Sequence, residues 1–222
     1  MAASKKKFAV IGLGNFGFHA ARALFEEGND VIAIDNDRNR VQAIDEYASE
    51  AILLDATDKD ALHALALDER DSVIVSTGSL ISNSILICLY LKEMGVKHVI
   101  AKALDADHAK ILKKVGADEI VHPEKDSAER VAKKLSRPNM LDFVPLTEDY
   151  DLIQIAPLDI FIGSSLKQLN LRAKYNIHVL AIKQLIPENF ILAPPADFVI
   201  KDSDILIILG KASDLKKLQE LK

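Results

Sequence analysis

The chain has 222 residues, of which 49% are hydrophobic and 27% charged, and its formal net charge is −5. That length supplies one large domain or two small ones with ample core, and the acidic balance argues against the positive footprint of a nucleic-acid binder, so no nucleic-acid partner is expected. No run of about 18 consecutive apolar residues occurs, and Ala2-Ala3-Ser4 leads through Lys5-Lys6-Lys7 into a strand pattern instead of an apolar signal core. The expectation is a cytoplasmic chain, and its one cysteine, Cys88, in a very apolar helical run, reads as packing in a reducing compartment.

In chain order, the apolar run Phe8–Ile11 reads as a buried strand, and Gly12-Leu13-Gly14-Asn15-Phe16-Gly17 follows it directly, opening a helix predicted over Asn15–Glu27. A strand that turns on glycines into a helix aims backbone N–H groups and the positive end of the helix dipole at an anion, usually a phosphate. Gly12 allows the turn, Gly14 lets the backbone approach a phosphate, and Gly17 lets the helix pack closely on the strand. A second strand, Val31–Ile34, ends at Asp35, 18 residues after Gly17, where a carboxylate would meet ribose hydroxyls. Further strands are predicted at Ala51–Leu54, Ser72–Ser76, His98–Ala101 and Glu119–Val121, with helices at Asp37–Tyr47, Asp58–Ala66, Ser79–Met94 and Asp105–Val115. Gly28, Gly95 and Gly116 stand where glycines end helices. The alternation is that of a doubly wound, six-stranded parallel Rossmann sheet, α/β in class.

His122-Pro123 starts another helix, with Pro123 in its first position, reaching about Leu135 and broken at Ser136-Arg137-Pro138. The pattern then turns to short strands, Leu152–Ile155, Ile177–Ile182 and Asp204–Leu209, joined by the turn-rich Pro187-Glu-Asn189 and Pro194-Pro195-Ala-Asp197. We expect a Rossmann nucleotide-binding domain with its crossover helix over 1–136 and a small α+β lobe over 137–222.

The chemistry outside the glycine motif is sparse. His178 falls in a strand pattern, His63 and His108 in helical surface patterns, and no HExxH, CxxC or Ser/His/Asp arrangement occurs, so no catalytic residue is expected. A nicotinamide enzyme needs a substrate pocket and a proton donor beside its cofactor. A small NAD-dependent oxidoreductase is therefore the alternative to a nucleotide sensor that changes shape on binding, and a Rossmann repressor is disfavoured by the acidic balance. Between Leu80 and Leu91 nine of twelve residues are apolar, more than the one stripe a peripheral helix needs. Either the following segment or a second subunit covers the extra face; Ile87, with Ile81 and Tyr90, is the outward candidate.

Several stretches together carry a resemblance over the whole chain: Phe8-Ala-Val-Ile-Gly-Leu-Gly-Asn-Phe-Gly17, Val99-Ile-Ala-Lys-Ala103, Leu112-Lys-Lys-Val-Gly-Ala-Asp118, Val121-His-Pro-Glu-Lys-Asp126, Leu169-Asn-Leu-Arg-Ala-Lys-Tyr175, Phe190-Ile-Leu-Ala-Pro-Pro195 and Asp204-Ile-Leu-Ile-Ile-Leu-Gly210. They resemble the regulator-of-potassium-conductance (RCK) family, nearest to the cytosolic gating subunits of Ktr and Trk potassium transporters. The resemblance implies a regulatory subunit, not an enzyme, that assembles from dimers into an octameric ring. The ring sits on the inner face of the membrane under a potassium-translocating partner, which it gates according to whether ATP or ADP is bound; Trk-type relatives also bind NAD(H).

Carried onto this chain, the resemblance puts Gly12, Gly14 and Gly17 at the phosphates, Asp35 at the ribose, and Asp55, Ala56, Thr57, Thr77 and Gly78 around the adenosine, with Asn15, Phe16 and Asn36 also among the cofactor-binding residues. Lys102 matches a lysine near the phosphates; read by itself it is equally a surface lysine. Ktr-type chains usually carry arginine where this one has Asn15, which can cap a helix or donate one hydrogen bond but cannot neutralise a γ-phosphate. A dinucleotide or AMP-like ligand is thereby brought forward. Glu124 matches a glutamate of a Ca2+ or Mg2+ site in the family, although by itself it also suits a helix N-terminus. Arg172, Asn176, Ile177 and Pro194 match the region that binds cyclic di-AMP in some Ktr-type subunits; the plain reading of Arg172 is a helix cap.

Overall fold

In a computed structural model of the chain, residues 5–78, 80–136, 139–147 and 149–219 are described. The expected helix start at Ser79 and part of the expected break, Arg137-Pro138, lie outside them. The chain divides into two units, Met1–Lys125 and Asp126–Lys222.

The first unit holds β1 (Lys7–Ile11), α1 (Asn15–Glu26), β2 (Asp30–Asp35), α2 (Arg38–Ile44), β3 (Glu50–Leu53), α3 (Lys59–His63), β4 (Ser72–Val75), α4 (Ile81–Glu93), β5 (Val99–Lys102), α5 (Ala106–Lys114) and β6 (Glu119–Val121). The strands lie in the order β3-β2-β1-β4-β5-β6, every pair parallel. Its strands are apolar on both sides because helices cover both faces. Along β1, Ala9 and Ile11 enter one core with Ile32, Ile34, Ile87 and Leu91, while Val10 enters the other with Val31, Ala33 and Ala21. The order reverses between β1 and β4, which opens a crevice at the carboxyl ends of the strands.

Asp37 and Asp58 start α2 and α3 by accepting from backbone N–H groups of Asn39 and of Asp60 and Ala61. Both helices are shorter than expected: α2 gives way to a 3-10 turn at Asp45–Tyr47, and α3 stops at His63 before Ala66 takes a left-handed conformation. Gly28, Gly95 and Gly116 follow α1, α4 and α5 with positive φ, as the sequence indicates.

Two expectations about α4 and α5 are corrected. Ile87, the outward candidate, is 1% exposed and belongs to the chain's own core, beside Cys88 and Leu91; burial pushes the Cys88 thiol up to about 12, so it is inert. The apolar surface left on this segment is instead Leu80 and Leu89. His108, read in a surface pattern, is 3% exposed.

The second unit begins within α6 (Pro123–Ser136) and continues through β7 (Met140–Pro145), β8 (Tyr150–Ile155), α7 (Leu166–Leu169), α8 (Leu171–Tyr175), β9 (His178–Leu185), β10 (Glu188–Leu192), β11 (Asp204–Lys211) and α9 (Ala212–Gln219). Its antiparallel sheet, β10-β9-β11-β8-β7, packs on a core of Ile153, Ile155, Phe161, Ile182, Leu206 and Ile208. The expected strands are its three central ones. The two edge strands, β7 and β10, escape sequence reading because neither alternates: Phe190 and Leu192 are exposed on β10, and Leu141 and Val144 on β7. Glu188 and Asn189, expected in a turn, pair with Leu185 and Gln184.

Truncating Ile87 to Ala should destabilise the protein by about 2–5 kcal/mol, through lost burial and the cavity left behind. Leu89→Ala, at a position that is 37% exposed, should cost clearly less. Urea unfolding followed by circular dichroism checks both, and equal losses would contradict the inward placement of Ile87.

Candidate nucleotide-binding site

A cavity of about 300 Å³ opens at the carboxyl ends of the strands. Gly12 contributes from the turn after β1, Asp35 and Asn36 from the end of β2, Asp55, Ala56 and Thr57 from the segment after β3, and Thr77 and Gly78 from the segment after β4. Eight of the expected residues thus meet in one place, although nothing local in the sequence makes these four segments neighbours; sheet order does.

The three motif glycines divide their work. Gly12 has φ +93°, and a Cβ there would stand 2.5 Å from the carbonyl oxygen of Ser76 at the end of β4; a Cβ on Gly17 would overlap the carbonyl oxygen of Gly12. Both are required by the chain's own backbone packing. A Cβ on Gly14 meets nothing among the described residues within 4 Å, and its φ of −63° suits any residue. Packing within the chain therefore does not demand a glycine there, whereas an approaching phosphate would. Gly14 itself is the N-cap of α1, so Asn15 is the first helical residue and not the cap. Asn15 is exposed, Phe16 packs against the α1-side core, and neither they, Gly14 nor Gly17 belongs to the cavity wall.

Asp35 is 5% exposed, and each carboxylate oxygen already accepts from the backbone: Oδ2 from the Leu13 N–H at 2.6 Å, Oδ1 from the Asp37 N–H at 2.8 Å. It therefore ties the glycine turn to the end of β2. Each oxygen retains further acceptor capacity for a hydroxyl at the cavity. Arg40 Nη1 stands 3.5 Å from Oδ2. Asp55 Oδ1 accepts from both the Oγ1 and the N–H of Thr57, at 2.7 and 2.9 Å, and these bonds hold its carboxyl below the usual range. Thr77 Oγ1 is buried and unpartnered among the described residues.

Sequence reasoning missed Arg40, Leu54, Leu80, Asn83 and Ile87, all in the cavity wall. Arg40 carries a legible signal, since a helix starting two residues after Asp35 brings its first turn back over the strand end. The α4 contribution does not, because it depends on β4 lying beside β1.

Lys102 and Glu124 stand outside the wall and pair with each other, Nζ to Oε1 at 2.5 Å. The Lys102 hydrogen bond, more than burial opposes it, holds the Glu124 carboxyl below its ordinary range. Among the described residues no group of three His, Cys, Asp or Glu side chains could hold a metal ion. In the second unit, Arg172 is exposed on α8 and Asn176 ends that helix with φ 56°, its amide 3.5 Å from Asp214. Ile177 is corrected: its side chain is 1% exposed in the core, so that position can meet a ligand only through its backbone. Pro194 is half-buried in the segment after β10.

A parallel sheet with a glycine turn, a buried aspartate at the second strand and a crevice at its reversal point defines a Rossmann-type fold, in which ligands bind at such a crevice. The TrkA-N domain matches residues 8–123 and the TrkA-C domain residues 152–222. The chain is 43% identical over 216 residues to Ktr system potassium uptake protein C of Bacillus subtilis (strain 168), covering 97% of each, and 36% identical over 214 residues to Ktr system potassium uptake protein A of the same organism, covering 96% of each. It is 35% identical over 222 residues to Ktr system potassium uptake protein A of Vibrio alginolyticus, covering 100% of each. The chain belongs to this TrkA/Ktr family of potassium uptake proteins. A structure of the GsuK RCK domain shares the fold, with a TM-score of 0.68 and 14% identity over all of this chain and 48% of that one, so this chain spans about half its length.

Gly17→Ala should destabilise the fold by about 1–3 kcal/mol, the usual range for forced overpacking, while Gly14→Ala should cost no more than the cap preference, at most about 1 kcal/mol. Thermal unfolding of the two variants separates the glycine that packs from the one that leaves room, and the reverse ranking would overturn the division.

Proposed function

We propose that the chain is a nucleotide-sensing regulatory subunit that gates a membrane potassium transporter. The observation that carries this is the near-full-length match to Ktr potassium uptake proteins, at up to 43% identity, in a chain whose glycine turn, Asp35 and Asp55 edge one cavity. In this reading ATP or ADP binds there, with NAD(H) or AMP as alternatives, and a GsuK channel structure bound to NAD is a relative in fold. Asn15 leaves the phosphate end without the usual cation, whereas Arg40 lies beside Asp35. That supports weak discrimination of the terminal phosphate.

The subunit acts by binding and not by turnover; the acidic groups of the cavity wall are engaged by backbone amides, Thr57 and Arg40, as structural and binding groups would be. No helix among the described residues is long and apolar enough to cross a membrane, and in this reading the chain is cytoplasmic, reaching the membrane's inner face through a potassium-translocating partner. It assembles from dimers into an octameric ring; exposed Leu80 and Leu89 beside α4, and Leu104 and Ile111 near α5, suit a subunit contact. Glu124, released from Lys102, would take Ca2+ or Mg2+, and Arg172, Asn176, the Ile177 backbone and Pro194 would take cyclic di-AMP.

Calorimetric titration with ATP, ADP, NAD and NADH should show binding to wild type and none to a folded Gly14→Val variant; unchanged affinity in that variant would sink the reading. Light scattering after size exclusion should find a multimer, reduced in order by Leu89→Glu without loss of helix content. A wild type that stays monomeric with and without nucleotide would remove the ring. Potassium uptake through a co-expressed translocating subunit should depend on the chain and fail with Gly14→Val.

A further inference from the structure

The buried imidazole of His108 takes no part in the cavity wall, yet every polar atom of its ring is accounted for. Leu104 N–H, which can only donate, lies 3.2 Å from Nδ1, so Nδ1 is an acceptor. The proton must therefore sit on Nε2, 2.9 Å from Ser84 Oγ. Ser84 agrees: its own proton goes to the Ile81 carbonyl at 2.9 Å, leaving the hydroxyl oxygen to accept. Two independent bonds fix one neutral tautomer. Ser84 is 1% exposed and His108 3%, so water cannot replace either partner without opening the packing.

The far end of this relay is the first turn of α4. Ile81, whose carbonyl Ser84 grips, lies between Leu80 and Asn83, and both of those, with Ile87, line the cavity. The near end is the loop that follows β5 and Lys102. We propose that His108 is a positioning residue for the nucleotide cavity: in its neutral form it bridges the Leu104 N–H and Ser84 and so holds the start of α4, and its protonation, which turns Nδ1 into a donor facing the Leu104 N–H, drives the ring off that amide, carries the Ser84 contact away with it and couples nucleotide affinity to pH. This rests on the nucleotide reading above.

The groups that bear on the ring agree in direction. Burial pushes the His108 imidazole below its ordinary value; Asp105, which caps α5 by accepting the His108 N–H at 2.8 Å, opposes this, and the nearby His122 adds to it. A histidine whose folded value lies below its unfolded one binds fewer protons when folded, so the stability it contributes is complete above the unfolded value, about 6.5, and is lost as pH falls from there toward the folded value. Nucleotide affinity should follow the same sign, flat above neutrality and falling by up to about tenfold per unit once the ring charges in the free protein.

The test is calorimetric titration of the full chain with ATP, ADP and NAD from about pH 8 to about pH 5, on wild type, His108→Ala, His108→Gln and Ser84→Ala. Wild type should lose affinity on the acid side. His108→Ala should be weak at every pH; His108→Gln, which keeps a donor for Ser84 but cannot titrate, should recover part of the loss and show a flat acid limb, with His122 still in place. Ser84→Ala should weaken binding. The protection factors of the amides of residues 81–84, taken relative to intrinsic exchange at each pH, should fall on the acid side in wild type and not in His108→Gln. An acid limb that is identical in wild type and His108→Gln, or absent from both, removes the inference and leaves the nucleotide reading standing. Absence of binding at any pH removes both.

Discussion

The first unit depends on a backbone-to-backbone approach that admits no Cβ. The turn after β1 runs so close to the end of β4 at Ser76, and α1 starts so close to that turn, that only glycine fits at Gly12 and Gly17. The turn's geometry then follows from strand pairing: the Gly12 N–H donates to the Ile34 carbonyl and the Ser76 N–H to the Ile11 carbonyl, so β2, β1 and β4 continue their register into the crevice. With the helix start held against the sheet, the first N–H groups of α1 face one direction, and Gly14 leaves the approach to them open.

Asp35 turns that geometry into a site. A buried carboxylate is costly unless its oxygens are bonded, and here both are, by amides on either side of the crevice mouth. The same group that would read a ribose thereby fixes the distance between the glycine turn and β2. Arg40 beside it offsets its charge from the solvent side, and the Asp55–Thr57 turn does the equivalent work at β3 through local hydrogen bonds. Each acidic group of the wall thus has a structural partner, so removing one disturbs the shape of the cavity as well as its charge.

The fourth side of the cavity belongs to α4, and it is the side least able to stand alone. Its first turn has no side-chain cap, unlike α2, α3 and α5, each started by an aspartate. What holds it is the contact of Ile87, Cys88 and Leu91 with the core and the hydrogen-bonded path from Ile81 through Ser84 to His108. The second unit follows a different rule: a small antiparallel sheet buries one row of residues from β8, β9 and β11, to which the edge strand β7 adds Met140 and Phe143, while the edge strand β10 leaves Phe190 and Leu192 exposed.

From the amino-acid sequence alone come the alternation of strands and helices through β6, the glycines that end α1, α4 and α5, the glycine turn after β1 and the aspartate at the end of β2. Those features are local: hydrophobic period, capping chemistry and the conformational freedom of glycine act over a few residues and are written in order along the chain. The tertiary structure alone decided that Leu80, Asn83 and Ile87 share a wall with Asp35 and Asp55, that Ile87 and Ile177 face inward, that His108 is buried against Ser84, and that β7 and β10 complete the second sheet. Each of these follows from which strand lies beside which and from what the helices then cover. An apolar residue looks the same in sequence whether its neighbours come from its own core or from outside, and an edge strand with few buried positions lacks the alternation by which a strand is recognised.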